Sequence, residues 1–187
     1  VSTDLTADSS GGMILDADID NSDIDDDNNK LVFGDGVIVL VTEASSDLVL
    51  DATTGGIHGL GAVTLKADNN LTINDDFTTL GHTYIEADFD KEGTGNLSIA
   101  AGKTLDTTNN TGYLVSGDLN LDGYINSGSA DLRITSSLND MAVGLNSEAF
   151  TIDNNELARV TANNLYLGSA AAGNIYVDGV DTTAVAN

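Results

Sequence analysis

The chain is predicted to be all-β and wound as a β-solenoid. Three observations lead there: an apolar, variable, apolar triplet that recurs along the sequence, almost no helical periodicity, and not a single proline in 187 residues. Alternation at period two puts the outer residues of each triplet on one face of a strand and the middle residue on the other. Proline cannot donate to a β-ladder, so its absence suits strands that are all central. A β-sandwich, the alternative, also has short strands and frequent turns. The solenoid is favoured because a coil bent into several faces needs only two inward residues per face. A chain with 5% aromatic residues and no Trp also suits a narrow interior of stacked aliphatic chains.

Residues 1–187 read as one domain, long enough to bury a core without staples, with 1–30 as an Asp-rich N-terminal segment or cap. Val37 to Val41, VIVLV, is the one continuous apolar strand and a candidate for an end or an interface. The triplets then follow: Leu48-Val49-Leu50, Val63-Thr64-Leu65, Leu71-Thr72-Ile73, Leu97-Ser98-Ile99, Leu119-Asn120-Leu121, Leu132-Arg133-Ile134, Phe150-Thr151-Ile152, Leu165-Tyr166-Leu167 and Ile175-Tyr176-Val177. Ile85, Ala87 and Phe89 form a further alternating piece. Between them lie Gly, Asn, Asp, Ser and Thr, residues that adopt left-handed turns cheaply. The best helical stretch, Asn155 to Val160, is too short to stand alone.

Formal net charge is -24, from 30 acidic and 6 basic residues, and 25 of the acids are Asp. Such a field repels nucleic-acid phosphates and anionic membrane surfaces and attracts cations; no nucleic-acid partner and no membrane insertion are expected. The chain has no cysteine, which removes disulfides and thiolate metal sites.

The stretch ELARVTANNLYLGSAAAGNIYVDGV, residues 156–180, resembles a repeat of large bacterial surface exoproteins of the filamentous haemagglutinin-like kind. In that repeat, E-L-x-R-[IV]-T-A leads into L-x-[IL]-G, a small-residue turn and G-x-I-x-V. Glu156, Leu157, Arg159, Val160, Thr161, Ala162, Leu165, Leu167, Gly168, Gly173, Asn174, Ile175 and Val177 carry the match. The resemblance implies a right-handed parallel β-helix acting as an extracellular or cell-surface stalk or adhesin. Its partners would be copies of itself, a longer chain, or a carbohydrate or host-surface ligand. The family's secretion domain is not recognisable, and the Asp-rich opening does not belong to the repeat.

Two acidic stretches are candidate calcium sites. GDLNLDGYIN, residues 117–126, resembles a dockerin calcium loop, with Asp118, Asn120 and Asp122 as alternate oxygen ligands and Gly123 at the sharp turn. As strand and turn, the same stretch buries Leu119 and Leu121. The latter reading is favoured, because the position of the closing carboxylate holds Ser129 and no helix follows. DADIDNSDIDDD, residues 16–27, puts Asp16, Asp18 and Asp20 on one face of a strand, where they would repel one another unless screened or bridged. Ca2+ is the cation that best suits carboxylate oxygens outside cells. Asp88, Asp90 and Glu92 form a shorter candidate.

Catalysis finds little support. His58 and His82 are the only histidines and stand apart from any nucleophile or zinc motif. A carbohydrate-active enzyme on the same scaffold, a polysaccharide lyase or glycoside hydrolase, is the alternative function. It would need a cleft with converging carboxylates and a basic residue.

Overall fold

A triplet can form a strand because its outer residues can bury side by side while its middle residue, polar or amphipathic in eight of the nine, stays wet. In the computed structural model, which describes residues 1–19, 29–52, 55–138, 140–144, 150–169 and 173–181, all nine triplets lie in strands. The strands stack into parallel columns, and among the described residues every strand pair is parallel, unlike the ladders of an antiparallel sandwich.

The first column runs β1 (Leu5–Ala7), β4 (Val37–Val41), β7 (Val63–Ala67), β10 (Thr83–Ala87), β13 (Gly112–Ser116), β16 (Leu132–Ser136) and β20 (Leu165–Ser169). The second runs β2 (Met13–Asp16), β5 (Leu48–Asp51), β8 (Leu71–Ile73), β11 (Asn96–Ile99) and β14 (Asp118–Leu121). The third holds β3 (Leu31–Phe33), β6 (Ile57–Gly59), β9 (Phe77–Thr79), β12 (Thr104–Asp106), β15 (Tyr124–Asn126) and β19 (Val160–Thr161). The chain visits the three in turn and closes one coil per cycle, which makes it a parallel β-solenoid. Its N-terminal segment supplies β1 and β2, which pair with β4 and β5 as part of the stack.

In-register stacking puts like on like. Leu48, Leu71, Leu97 and Leu119 are successive partners, as are Leu50, Ile73, Ile99 and Leu121, and all eight are buried. Phe33 and Phe77 are fully buried in the interior with rings 6.0 Å apart. Outside the first column, Tyr84 stacks on Tyr113 at 5.3 Å, Lys66 sits over Tyr84, and Arg133 covers the ring of Tyr166.

Several expectations are corrected. VIVLV is β4, which pairs on both sides with β1 and β7 and buries Val37, Val39 and Val41, so it is a central strand rather than an end. Phe89 does not continue the inward alternation of Ile85 and Ala87. Asp88 has a left-handed φ of 71°, which turns its own side chain into the core and sends Phe89 outward beneath Lys66. Ile175 and Val177 are 45% and 66% exposed, because their strand β21 (Ile175–Asp178) is the last of its column.

The sixth coil breaks the simple order. Strand β18 (Phe150–Ile152) lies between β17 (Met141–Gly144) and β14, although β17 precedes it in the chain. A one-turn helix, α1 (Asn154–Leu157), follows. Asp153 caps it by accepting from Asn155 and Glu156, while Glu156 accepts the Asp153 N–H in return, a complete capping box.

Candidate functional site

The outward row of the second column starts with Ile14 and Val49 and turns short and polar from β8 onward. Thr72, Ser98 and Asn120 are register partners on β8, β11 and β14 and form a straight row along the solenoid axis. Where α1 leaves the surface it overhangs this row, and the two enclose a cleft of about 550 Å³. Its floor is the row with Ile99, Ala100 and Leu121; its walls are Asp122, Asp153, Asn155, Glu156 and Arg159.

Two of the wall residues hold the fold together. Glu156 Oε1 accepts the Leu121 N–H at 3.1 Å and Oε2 accepts that of Asp153 at 3.0 Å. Arg159 donates from its guanidinium to the Leu121 carbonyl. With no strand stacked at this point, the two side chains take both backbone polar groups of Leu121, which would otherwise be left without partners. This is the physical content of the E-L-x-R spacing: three residues along the chain carry the acid and the base to the N–H and the C=O of one residue, Leu121. Burial pushes the Glu156 carboxyl above its usual range, against the two hydrogen bonds that favour its charge. Asp122 stands 3.8 Å from the guanidinium with its side chain 79% exposed, a loose ion pair at the mouth.

The calcium candidates are distributed as follows. Asp118 and Asn120 lie on the outward face of β14, with Asp122 just beyond its end, and Leu119 and Leu121 are buried: the strand-and-turn arrangement. An extended backbone spreads the three over roughly 13 Å and does not curl them around one ion. One Asp118 oxygen accepts the Thr151 N–H at 2.9 Å, and burial raises its carboxyl. Asp16 ends β2 and accepts the Asp18 N–H at 2.8 Å; Asp18 is buried, and Asp20 lies outside the described residues. Asp88 is fully buried and accepts from the N–H groups of Gly93 and Thr94 and from the Ser137 hydroxyl, while Asp90 accepts from Glu92. Among the described residues no group of three or more His, Cys, Asp or Glu is placed to hold a metal ion. Asp8 lies beside Glu43, and their shared hydrogen bond raises the Glu43 carboxyl. His58 faces outward on β6 with its ring against the Gly55 carbonyl, and His82 is exposed in a turn.

What the sequence did not reveal is the use made of the aspartates. Asp4, Asp35, Asp47, Asp76, Asp118 and Asp140 each accept a backbone N–H from a later coil, those of Ile38, Ala62, Asn70, Thr104, Thr151 and Asn174, at 2.7 to 3.0 Å. Asn70 repeats the bond to Asn96. Neighbouring parallel strands lie about 4.8 Å apart, a gap the short Asp side chain spans and the longer Glu overshoots. That is a physical reason for 25 Asp against 5 Glu.

Comparison with protein-family models, with curated proteins and with solved structures finds no match to this chain.

Proposed function

We propose that the chain is an extracellular structural or adhesive solenoid segment, part of a longer surface protein or of a fibre assembled from copies. One observation carries this reading: Glu156 and Arg159 at the cleft are engaged in fastening α1 to Leu121, with both oxygens of Glu156 and the guanidinium of Arg159 bound to backbone. A catalytic acid or nucleophile needs at least one free oxygen aimed at the substrate. The outward face repeats along the axis, with the Thr72–Ser98–Asn120 row on the second column and the Tyr84–Tyr113 stack and Arg133–Tyr166 contact on the first, which suits a stalk. Calcium enters as a stabiliser drawn by the net charge of -24, with the Asp8–Glu43 pair and the Asp-rich 16–27 stretch as the places where it would relieve repulsion.

The second reading, a polysaccharide lyase or glycoside hydrolase, is favoured by the placing of Asp122, Asp153, Glu156 and Arg159 around one cleft. Incubation with pectin, alginate, xylan and chitin separates the two. The stalk reading expects no new reducing ends or unsaturated products, together with end-to-end oligomers or filaments at rising concentration. Products formed by the wild type and abolished in Glu156→Gln would establish an enzyme.

A further inference from the structure

We infer that the cleft under α1 is a binding site for an extended, uncharged oligosaccharide, lying along the solenoid axis. The inference rests on the adhesive reading and names its ligand class. Thr72, Ser98 and Asn120 offer two hydroxyls and an amide in register on three successive coils. Each of these groups both donates and accepts, so the row matches a ligand that does the same at every step, as sugar hydroxyls do. The three coils span about 10 Å, enough for two sugar rings in an extended chain. The cleft, about 550 Å³, falls within the usual size of small-ligand sites, roughly 300 to 1,000 Å³.

Charge narrows the class. Three carboxylates and one guanidinium line the space, and that guanidinium is already bound to a backbone carbonyl and close to Asp122. A uronate or sulfated sugar would meet net negative charge, offset only by Arg159, which is already shared with the Leu121 carbonyl and Asp122. A neutral sugar meets a favourable site, because Asp122 is largely exposed and its carboxylate can accept from two adjacent hydroxyls. The side chain of Asn120 makes only a 3.5 Å contact with Ser98, which leaves its amide to the ligand. No aromatic ring lines the cleft, so affinity comes from hydrogen bonds and repeated sites along a fibre rather than from stacking.

The test is titration of the 15N-labelled chain with cellotetraose and N-acetylchitotetraose as neutral probes and tetragalacturonate as an anionic probe of equal length. The expected result is saturable shifts of the Ser98, Asn120 and Asp122 amides with a neutral probe. Asn120→Ala, a surface change that leaves the fold intact, should weaken binding about tenfold, and tetragalacturonate should bind at least about tenfold more weakly. The inference is overturned if neither neutral probe shifts these amides, if tetragalacturonate binds equally well, or if Asn120→Ala and Ser98→Ala bind like the wild type. Failure here would leave filament formation and the absence of polysaccharide products, the tests of the stalk reading, untouched.

Discussion

Asp47 Oδ1 accepts the backbone N–H of Asn70, its counterpart one coil later, at 3.0 Å, and the side-chain amides of Asn69 and Asn70 at 2.9 and 3.1 Å. The bond recurs in other coils at the start of strands, where a turn interrupts the ladder. Acidic residues that look like a cation trap in composition are, in the structure, the acceptors that carry hydrogen bonding across the corners.

Replacing Asp47 by Ala should therefore cost about 1 to 3 kcal/mol, the usual penalty for donors left without a partner. Asp47→Asn, which keeps one acceptor oxygen, should cost much less. Urea denaturation of the two variants checks this; equal losses would mean that charge and not acceptor geometry matters.

The clamp on Leu121 predicts coupling. Glu156→Ala and Arg159→Ala should each destabilise the chain by about 1 to 3 kcal/mol by exposing one backbone group of Leu121. The double variant should cost less than the two together, because once α1 detaches the second partner is lost as well. Strict additivity in a double-mutant cycle would show that the two act separately.

Stability should pass through a maximum on the acidic side of neutrality. Burial raises the carboxyls of Asp118 and Glu156, so the folded chain takes up protons before the unfolded one, and stability rises as pH falls toward the ordinary carboxylate range, about 4. Asp131 and Asp140 are held below their usual range, the first mainly by the Asn164 amide, the second by the Asn174 backbone. Their contribution is present above the unfolded value and lost as pH falls through the lowered one. Melting temperature measured from pH 7 to 3 should rise and then drop, and Asp118→Asn should flatten the rise. A monotonic decline from pH 7 would contradict the assignment.

Much of the fold was legible from residues alone. Every triplet forms a strand, because two inward apolar residues suffice for one face of a coil, although β21, last of its column, leaves Ile175 and Val177 exposed. Phe89 was misplaced because a single left-handed residue, Asp88, resets the alternation, and nothing short of the backbone shows it. The Asp–x–x–Glu signature of α1 was present at Asp153 and Glu156. The braces were not legible, since a contact such as Asp47 to Asn70 depends on register between coils of unequal length. The same holds for the cleft, whose floor comes from the middle residues of three separate triplets.

Calcium should raise the melting midpoint beyond what NaCl of equal ionic strength achieves, and EDTA should reverse it. A cation bound only by the folded chain adds about 2.7 kcal/mol at a hundred times its dissociation constant, and weak extracellular sites fill at about millimolar calcium. Identical midpoints in the matched salts would show that screening alone stabilises so acidic a chain.

The braces themselves can be observed. Through-hydrogen-bond scalar couplings in the labelled protein should connect the amide nitrogens of Ile38, Ala62, Asn70 and Thr104 to the carboxyl carbons of Asp4, Asp35, Asp47 and Asp76, and those amides should exchange slowly with solvent. Fast exchange at these amides, or couplings that lead to backbone carbonyls instead, would contradict the claim that aspartates join one coil to the next.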